Sequence, residues 1–473
     1  MRKNKLIITI ISVLVILVGI LKIGNFFNIF KNNSIIILDN NGNEIYRTNG
    51  KLENNENSEV IISDNGAADS IIYNVIKDIQ VSLNCTKEEA INLLNKDEYI
   101  IYSTIDTSLQ EELNQSFNDR STFTTTKKSN FNEASMVIMD YEGNIKAVAT
   151  TNNNDNSINR ATSKLLKVGS TIKPVAIYTP AIENDVVNFS TIIDDVPGNT
   201  IYNGQAIEWP TNHDNKYESN VTITDALKKS KNTVAVNVGK MVGEDEIFNF
   251  LKNKLNYDTL VDTTRGDTDK QLSSLALGYF TDGVTLDTLV SSYSMFGNGG
   301  YYSGKRYYTE VKDKDGNVLV SSNNDKNRVI TEETATIMNR LLLNNIVDKD
   351  SIIKNIGING VEVLGKTGTV GNDNGENISQ LFVGMTPDYI AGVWVGYDDE
   401  RALMHGLYNG PTTVWQTVML NINIENSYFK LSDNIKLLEY CSDSGLLKSD
   451  NCENIKIGYY KEGSIPGTCN SCR

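Results

Sequence analysis

Three short stretches hold the residue types that could do chemistry. The first is Val168-Gly169-Ser170-Thr171-Ile172-Lys173-Pro174. A Ser and a Lys three positions apart lie on one helix face, about 5–6 Å apart at Cβ. Gly169 permits a sharp turn into that helix, and Pro174 is tolerable only in its first turn. A serine hydroxyl is a poor nucleophile until an adjacent base takes its proton, and Lys173 is the base at the right spacing. Lys173 must then lose its own charge, through burial or a neighbouring cation. Close to the positive helix end, backbone N–H groups at Ser170 are suited to hold an oxyanion. Taken alone, S-x-x-K more often marks a solvated Ser and Lys.

The second stretch is Leu227-Lys228-Lys229-Ser230-Lys231-Asn232-Thr233. Residues 222–229 read as a helix with a Thr222 cap and Asp225 in its third position. Ser230 and Asn232 follow in a loop or helix start. A second hydroxyl can pass a proton between base and leaving group, and an Asn amide can bind a substrate carbonyl. Considered singly, both residues read more readily as helix-terminating caps.

The third stretch is Gly365-Lys366-Thr367-Gly368-Thr369. Residues 360–367 match the phosphate-loop pattern G-x-x-x-x-G-K-T in full, but that loop must follow a strand and open a helix at its Lys. Here Val361, Glu362, Val363 and Leu364 have strand composition, and Gly368, Val370 and Gly371 start a helix poorly. The nucleotide reading is set aside. An exposed strand is expected instead, carrying Lys366 toward the site. Gly368 is read as bare backbone beside which a substrate chain can lie, and the Thr367 and Thr369 hydroxyls as partners for a substrate carboxylate.

These stretches need a scaffold. The chain has 473 residues, enough for two or three domains, and a net charge of −15 that argues against a nucleic-acid partner. With two histidines, His213 and His405, neither a His-based zinc site nor a Ser-His-Asp triad is expected. Arg2, Lys3 and Lys5 precede an uncharged run over residues 6–21, and apolar character resumes at Ile23, Phe26, Phe27, Ile29 and Phe30. No small-residue cleavage site follows, so residues 1–31 read as a cytoplasmic tail and an uncleaved membrane anchor with the remainder outside. Three hairpin signals share one pattern, at Asp39–Asn43, Asp140–Asn144 and Asp313–Asn317, each an Asp-x-x-Gly-Asn between apolar runs. Their glycines are misplaced for a calcium loop. Helical spacing runs through residues 67–97; a strand at 100–105 leads into a helix carrying Leu109, Leu113 and Phe117. Residues 121–132 look like a linker.

Together, S-x-x-K, S-x-N and K-T-G in that order resemble the active-site set of the penicillin-binding proteins and serine β-lactamases. Asn159-Arg160-Ala161, Pro210-Thr211-Asn212, Ala276-Leu277-Gly278, Gly283-Val284-Thr285 and Val393-Trp394-Val395-Gly396-Tyr397-Asp398 are similar to the transpeptidase module of class A penicillin-binding proteins. The resemblance runs from about residue 99 to 472. It implies an α+β, β-lactamase/transpeptidase-like fold, a central antiparallel sheet flanked by helices. Residues 32–130 would be a small pedestal or linker, 131–433 the penicillin-binding transpeptidase domain, and 434–473 a Cys-containing tail. It also implies a cell-membrane, single-pass protein with its catalytic domain extracytoplasmic.

The activity so implied is D,D-transpeptidation of peptidoglycan stem peptides ending in D-Ala-D-Ala. Ser170 is the nucleophile, Lys173 the acylation base, Ser230 a proton relay and Lys366 a positive charge. Asn232 meets the substrate amide, Thr367 and Thr369 its carboxylate, and β-lactams acylate Ser170 and stay. A deacylating Glu-x-x-Leu-Asn is not evident; Gln110-Glu-Glu-Leu113-Asn114 begins with Gln and lies upstream. A D,D-carboxypeptidase, and a non-catalytic β-lactam receptor or wall scaffold, are the alternatives on the same fold. No metal or other cofactor is assigned.

Two departures stand out. Class A members carry a glycosyltransferase domain after the anchor, whereas residues 32–130 hold no histidine and no Glu-Asp-x-x-Phe run. A separate glycosyltransferase is therefore expected as partner. Leu381 stands where the family usually has Trp, in what is read as the pocket wall. In the tail, Cys441, Cys452, Cys469 and Cys472 predict two disulfides in one of three connectivities. Zinc on the same residues is the alternative, but C-x10-C is far wider than a usual knuckle. Cys85 reads as core, and neither histidine has a role.

Overall fold

The computed structural model describes residues 34–48, 52, 66–124, 133–151, 159–202, 205–262, 268–322, 326–403, 409–470 and 472. The expected anchor, most of the 121–132 linker and His405 lie outside the described residues. Among those that are described, no helix is long and apolar enough to cross a membrane.

The apolar runs assemble a five-stranded antiparallel sheet. Its order is Leu364–Gly371, Asn377–Met385, Ile390–Gly396, Glu133–Met139, Ile145–Thr150. Both faces are covered, which explains why Ile390–Gly396 is buried at every position rather than at alternate ones. Val137 and Met139 join Val383 and Trp394 in one core. Met136 and Ile138 join Phe382, Val393 and Trp415 in the other. The period of two thus sorts neighbouring residues to opposite cores. The helix Leu286–Ser292 presses on the first face so closely that a Cβ at Gly392 would lie 2.2 Å from Val290 Cγ2. The helix Pro411–Met419 covers the second, where a Cβ at Gly384 would meet the Trp415 ring at 2.4 Å.

A second sheet, in the order Val318–Ser321, Tyr308–Asp313, Tyr99–Ser103, Ile35–Leu38, Glu44–Arg47, ties the pedestal segment to the catalytic region. Tyr99–Ser103 runs parallel to Ile35–Leu38 and antiparallel to Tyr308–Asp313. The helices Gly66–Leu83 and Lys87–Leu94 pack their apolar stripe, including Ile71, Val75 and Ile79, into the same core as Ile172, Val175 and Ala176.

The three Asp-x-x-Gly-Asn turns are built identically. In each, the Asp Oδ1 accepts from the amides two and four residues on, at 2.8–3.0 Å. The Asn side-chain amide closes onto Oδ2 at 2.8–3.1 Å. The glycines take φ of +84, +86 and +85, which a side chain would resist. The carboxylate substitutes for the missing turn partners, so each hairpin is set locally.

Candidate active site

Ser170 lies in a short 3₁₀ turn, Gly169–Thr171, that runs on as helix through Ile172 to Glu183 with a wide turn at Pro174–Tyr178. Pro174 lies within the first turns, where a missing N–H is cheapest. The turn is wedged between two backbones. Gly169 has φ +55, and a Cβ there would sit 2.6 Å from Thr369 O and 3.1 Å from Thr369 N. On its other side, a Cβ at Gly278 would lie 2.4 Å from Gly169 O. The 276–285 segment cradles this approach through Val168 N to Gly278 O, 3.0 Å, and a mutual Leu166–Val284 pair at 2.9 Å. Its glycine-rich pattern had carried no assigned role.

The third stretch is the free edge strand of the catalytic sheet, Leu364–Gly371. No helix follows it, so the phosphate-loop reading fails. Lys366, Gly368 and Val370 are buried on the side of the Ser170 turn; Thr367 and Thr369 alternate and are half-buried. Gly368 is closely packed. A Cβ there would lie 2.6 Å from Val168 O and 2.9 Å from Thr171 Cγ2. The bare position admits the turn that carries Ser170, a packing reason the sequence reading did not give. On the open edge, Thr367 O accepts from Lys366 Nζ at 3.0 Å and Gly371 N donates to Tyr279 OH at 3.1 Å. By strand alternation the Thr369 N–H points the same way.

The second stretch meets these two. The helix Ile223–Lys228 is capped by Thr222, whose hydroxyl accepts from Asp225 N, and Asn232 opens the helix Asn232–Val242. Between them Ser230 takes φ +55. Beneath the loop lies a buried scaffold. Asn212 Oδ1 accepts from Asn232 N at 2.8 Å, and Asn212 Nδ2 donates to Asp195 Oδ1 at 2.7 Å. Lys231 Nζ reaches Asp195 Oδ2 at 3.2 Å, and Thr233 Oγ1 bonds the same carboxylate. Asp195 was missed by the sequence reading; it lies 38 positions before Thr233 and no spacing links them.

Ser230, Asn232, Lys173 and Lys366 converge. Lys173 Nζ donates to Ser230 O at 2.8 Å and Asn232 Oδ1 at 2.6 Å, and lies 3.5 Å from Ser230 Oγ. Lys366 Nζ donates to Ser230 Oγ at 2.9 Å. Asn232 Nδ2 donates to Thr211 O at 2.8 Å, which leaves it one hydrogen for a ligand. Both lysines are buried, at 0% and 1% exposure, with no carboxylate ion-paired to either among the described residues. Burial, then the charge of Lys366, holds the Lys173 amine well below the usual lysine range. Burial alone brings Lys366 down to about 7. Desolvation acts on both amines, and at Lys173 the neighbouring Lys366 charge adds to it.

Leu381 is fully buried, opposite Gly368 in one direction and Trp394 in the other. It is a core residue rather than part of the pocket wall. Arg160 and Asp398, from two of the quoted segments, form a forked pair at 3.0 and 3.1 Å through Nε, joined by Lys164 at 2.7 Å. His213 is exposed.

Residues 134–399 match the family model described as the penicillin binding protein transpeptidase domain. The chain belongs to the penicillin-binding protein transpeptidase family. It is 30% identical over 412 residues to penicillin-binding protein 1A of Clostridium acetobutylicum, covering 84% of this chain and 47% of that one. With penicillin-binding protein 1A/1B of Bacillus subtilis it shares 30% over 391 residues, covering 78% and 41%. The chain therefore spans about half the length of these relatives. Among solved structures, the PonA1 protein from Mycobacterium tuberculosis in complex with penicillin V aligns with a TM-score of 0.60 at 19% identity, covering 76% of this chain and 94% of that one. Penicillin-binding protein 1A from Haemophilus influenzae aligns with a TM-score of 0.58 at 21% identity, covering 71% and 54%. These two likenesses establish the fold, which is the α+β transpeptidase/β-lactamase-like class expected.

Proposed function

We propose that the protein is a membrane-anchored serine D,D-transpeptidase that crosslinks peptidoglycan stem peptides through an acyl-enzyme on Ser170 and is acylated by β-lactams. The observation that carries this is the hydrogen-bond count at Lys173. A neutral amine has two N–H donors and one lone pair, and the two strong donations go to Ser230 O and Asn232 Oδ1. In the neutral amine the lone pair would then serve the Ser170 hydroxyl, three residues earlier in the helix-face spacing.

The Ser170 O–H proton passes to Lys173 as Oγ bonds to the penultimate D-Ala carbonyl carbon. The oxyanion falls to the N–H groups of Ser170 and Thr369, the second of which lies against Gly169 on the open strand edge. Ser230, hydrogen-bonded to Lys366 and within 3.5 Å of Lys173, relays the proton to the departing D-Ala nitrogen as the C–N bond breaks. The amine of a second stem then attacks the ester carbonyl, loses a proton to Lys173 and returns Ser170 to its hydroxyl. Lys366 keeps the pocket positive toward the substrate carboxylate, with Thr367 and Thr369 beside it and the Asn232 amide on the substrate backbone. In a β-lactam the leaving nitrogen stays tethered, so the ester persists. Stem peptides and the outer face of the cell membrane are the setting, and a separate glycosyltransferase supplies the glycan strands.

Incubating the full chain with labelled penicillin tests the nucleophile: label on the Ser170 peptide, absent in Ser170→Ala, is expected. Stem-peptide substrates then divide the activities, since crosslinked dimers mean transpeptidation and trimmed monomers alone mean a carboxypeptidase. Failure of penicillin to attach at Ser170 refutes acyl transfer altogether.

A further inference from the structure

The C-terminal tail departs from the two disulfides expected. No disulfide closes among Cys441, Cys452, Cys469 and Cys472, yet all four sulfurs lie within 4.8 Å of one another. Cys441 and Cys472 are 3.5 Å apart, Cys469 and Cys472 3.6 Å. A disulfide bond is about 2.05 Å long. Two such bonds would split four sulfurs into two tight couples, whereas these sulfurs surround a common centre. Zinc–sulfur bonds of about 2.3 Å in a tetrahedron place neighbouring sulfurs about 3.8 Å apart. The observed spacing is close to that edge.

The surroundings fit a ligand set. Cys441, Cys452 and Cys469 are buried, Leu446 packs on them and Cys472 is half-buried. Donors point at the sulfurs: Ser449 N at Cys452, 3.4 Å, with the Ser449 hydroxyl 3.3 Å from the same sulfur, and the Asp443 and Ser444 amides at Cys441. Such donors stabilise thiolate charge around a cation. Four soft thiolates around one point select zinc, and a multi-iron cluster needs wider spacing than 4.8 Å. Spacing in sequence had argued against this because Cys441 and Cys452 are far apart. The intervening loop, however, folds back, with Gly445 N bonded to Cys441 O and Cys441 N to Leu446 O, both at 2.8 Å.

We propose that these four cysteines bind one zinc ion that staples the tail against the helix that follows Ser170 and the helix that leads to Ser230. Cys441 ends the strand Lys436–Cys441 and Cys452 precedes its partner, Ile455–Tyr460. From that hairpin, Lys456 pairs with Asp225 at 3.1 Å, in the helix leading to Ser230. Lys461 donates to Ile182 O and Glu183 O, at 2.6 and 3.1 Å, at the last turn of the nucleophile helix. Ser190 bonds Gly445 O at 2.7 Å and receives Tyr460 OH at 2.8 Å. Beyond Cys452 the tail's remaining regular structure is one strand and a three-residue turn, and its end lies on the 441–452 loop through Leu447 N to Gly467 O, 2.9 Å, and Cys469 N to Leu447 O, 2.7 Å, beside the sulfurs that the metal would join. Each thiol protonated beforehand releases its proton to solvent as the Zn–S bond forms.

The experiment does not depend on acyl transfer. The full chain, purified anaerobically without chelator, is analysed for metal and by intact mass, then stripped and titrated with Co²⁺. One zinc per chain, and a tetrahedral cobalt–thiolate spectrum that Cys452→Ser and Cys469→Ser lose but Cys85→Ser retains, are expected. A metal-free protein four hydrogens lighter, iron in place of zinc, or stripped thiols that ignore Co²⁺ overturn the site. Hydrogen exchange reads the staple: removing zinc should deprotect residues 441–472 and also 223–230 and 179–183. Deprotection confined to 441–472 refutes the coupling to the two helices.

Discussion

Gly368→Ala separates two ways in which a bare strand position could serve this site. Gly368 has ordinary extended backbone, so alanine meets no conformational objection; space alone opposes it. Its Cβ would lie 2.6 Å from Val168 O, against 3.4 Å for an ordinary contact, so the strand and the nucleophile turn must part by up to 3.4 − 2.6 = 0.8 Å. Neither side yields easily. The strand is pinned by its pairing to Asn377–Met385, and the turn is trapped between Gly278 and Thr369. A misplacement of about 1 Å near a reacting centre costs about 10²-fold, and overpacking costs about 1–3 kcal/mol of stability. The rate of covalent attachment of a fluorescent penicillin at saturation should therefore fall about 10- to 100-fold, with only a small change in the half-saturating concentration, and the melting temperature should drop. If Gly368 instead makes room for substrate, half-saturation rises while the saturated rate and melting temperature hold. That second pattern, or wild-type behaviour throughout, refutes the packing argument.

Removing the base in Lys173→Ala should slow penicillin attachment about 10²- to 10⁴-fold, measured by gel fluorescence over hours. Acylation should also follow a bell in pH: it rises as Lys173 becomes neutral and falls as Lys366, at about 7, loses the charge that faces the substrate carboxylate. Lys366→Arg, which cannot deprotonate, should remove the alkaline limb; a wild-type profile flat from about pH 6 to 9 contradicts this. Arg160→Met breaks the forked pair on Asp398 while Lys164 remains, so urea unfolding should show a loss of about 1.5–3 kcal/mol with little change in acylation.

What could be read from the chain without coordinates was local. S-x-x-K, S-x-N and K-T-G carry their own helix-face and strand logic, and each Asp-x-x-Gly-Asn turn closes on hydrogen bonds within five residues. Strand composition before Lys366 was enough to reject a phosphate loop. Contacts between distant segments were not legible, because nothing in spacing records which backbone comes within 3 Å of another. Gly368 and Gly278 could be seen as glycines but not as two walls of the 168–171 turn. Asp195, which anchors the Ser230–Asn232 loop, has no local signature.

The lysines and the cysteines divide the same way. Residue type set what each could become: an amine able to act as a base, a thiol able to join a sulfur or a metal. Burial without a counter-ion, a property of the packed core, lowers both amines, and the charge of Lys366 adds to this at Lys173. A loop that folds back over ten residues brings four sulfurs within 4.8 Å of one another, where counting along the chain had kept them apart.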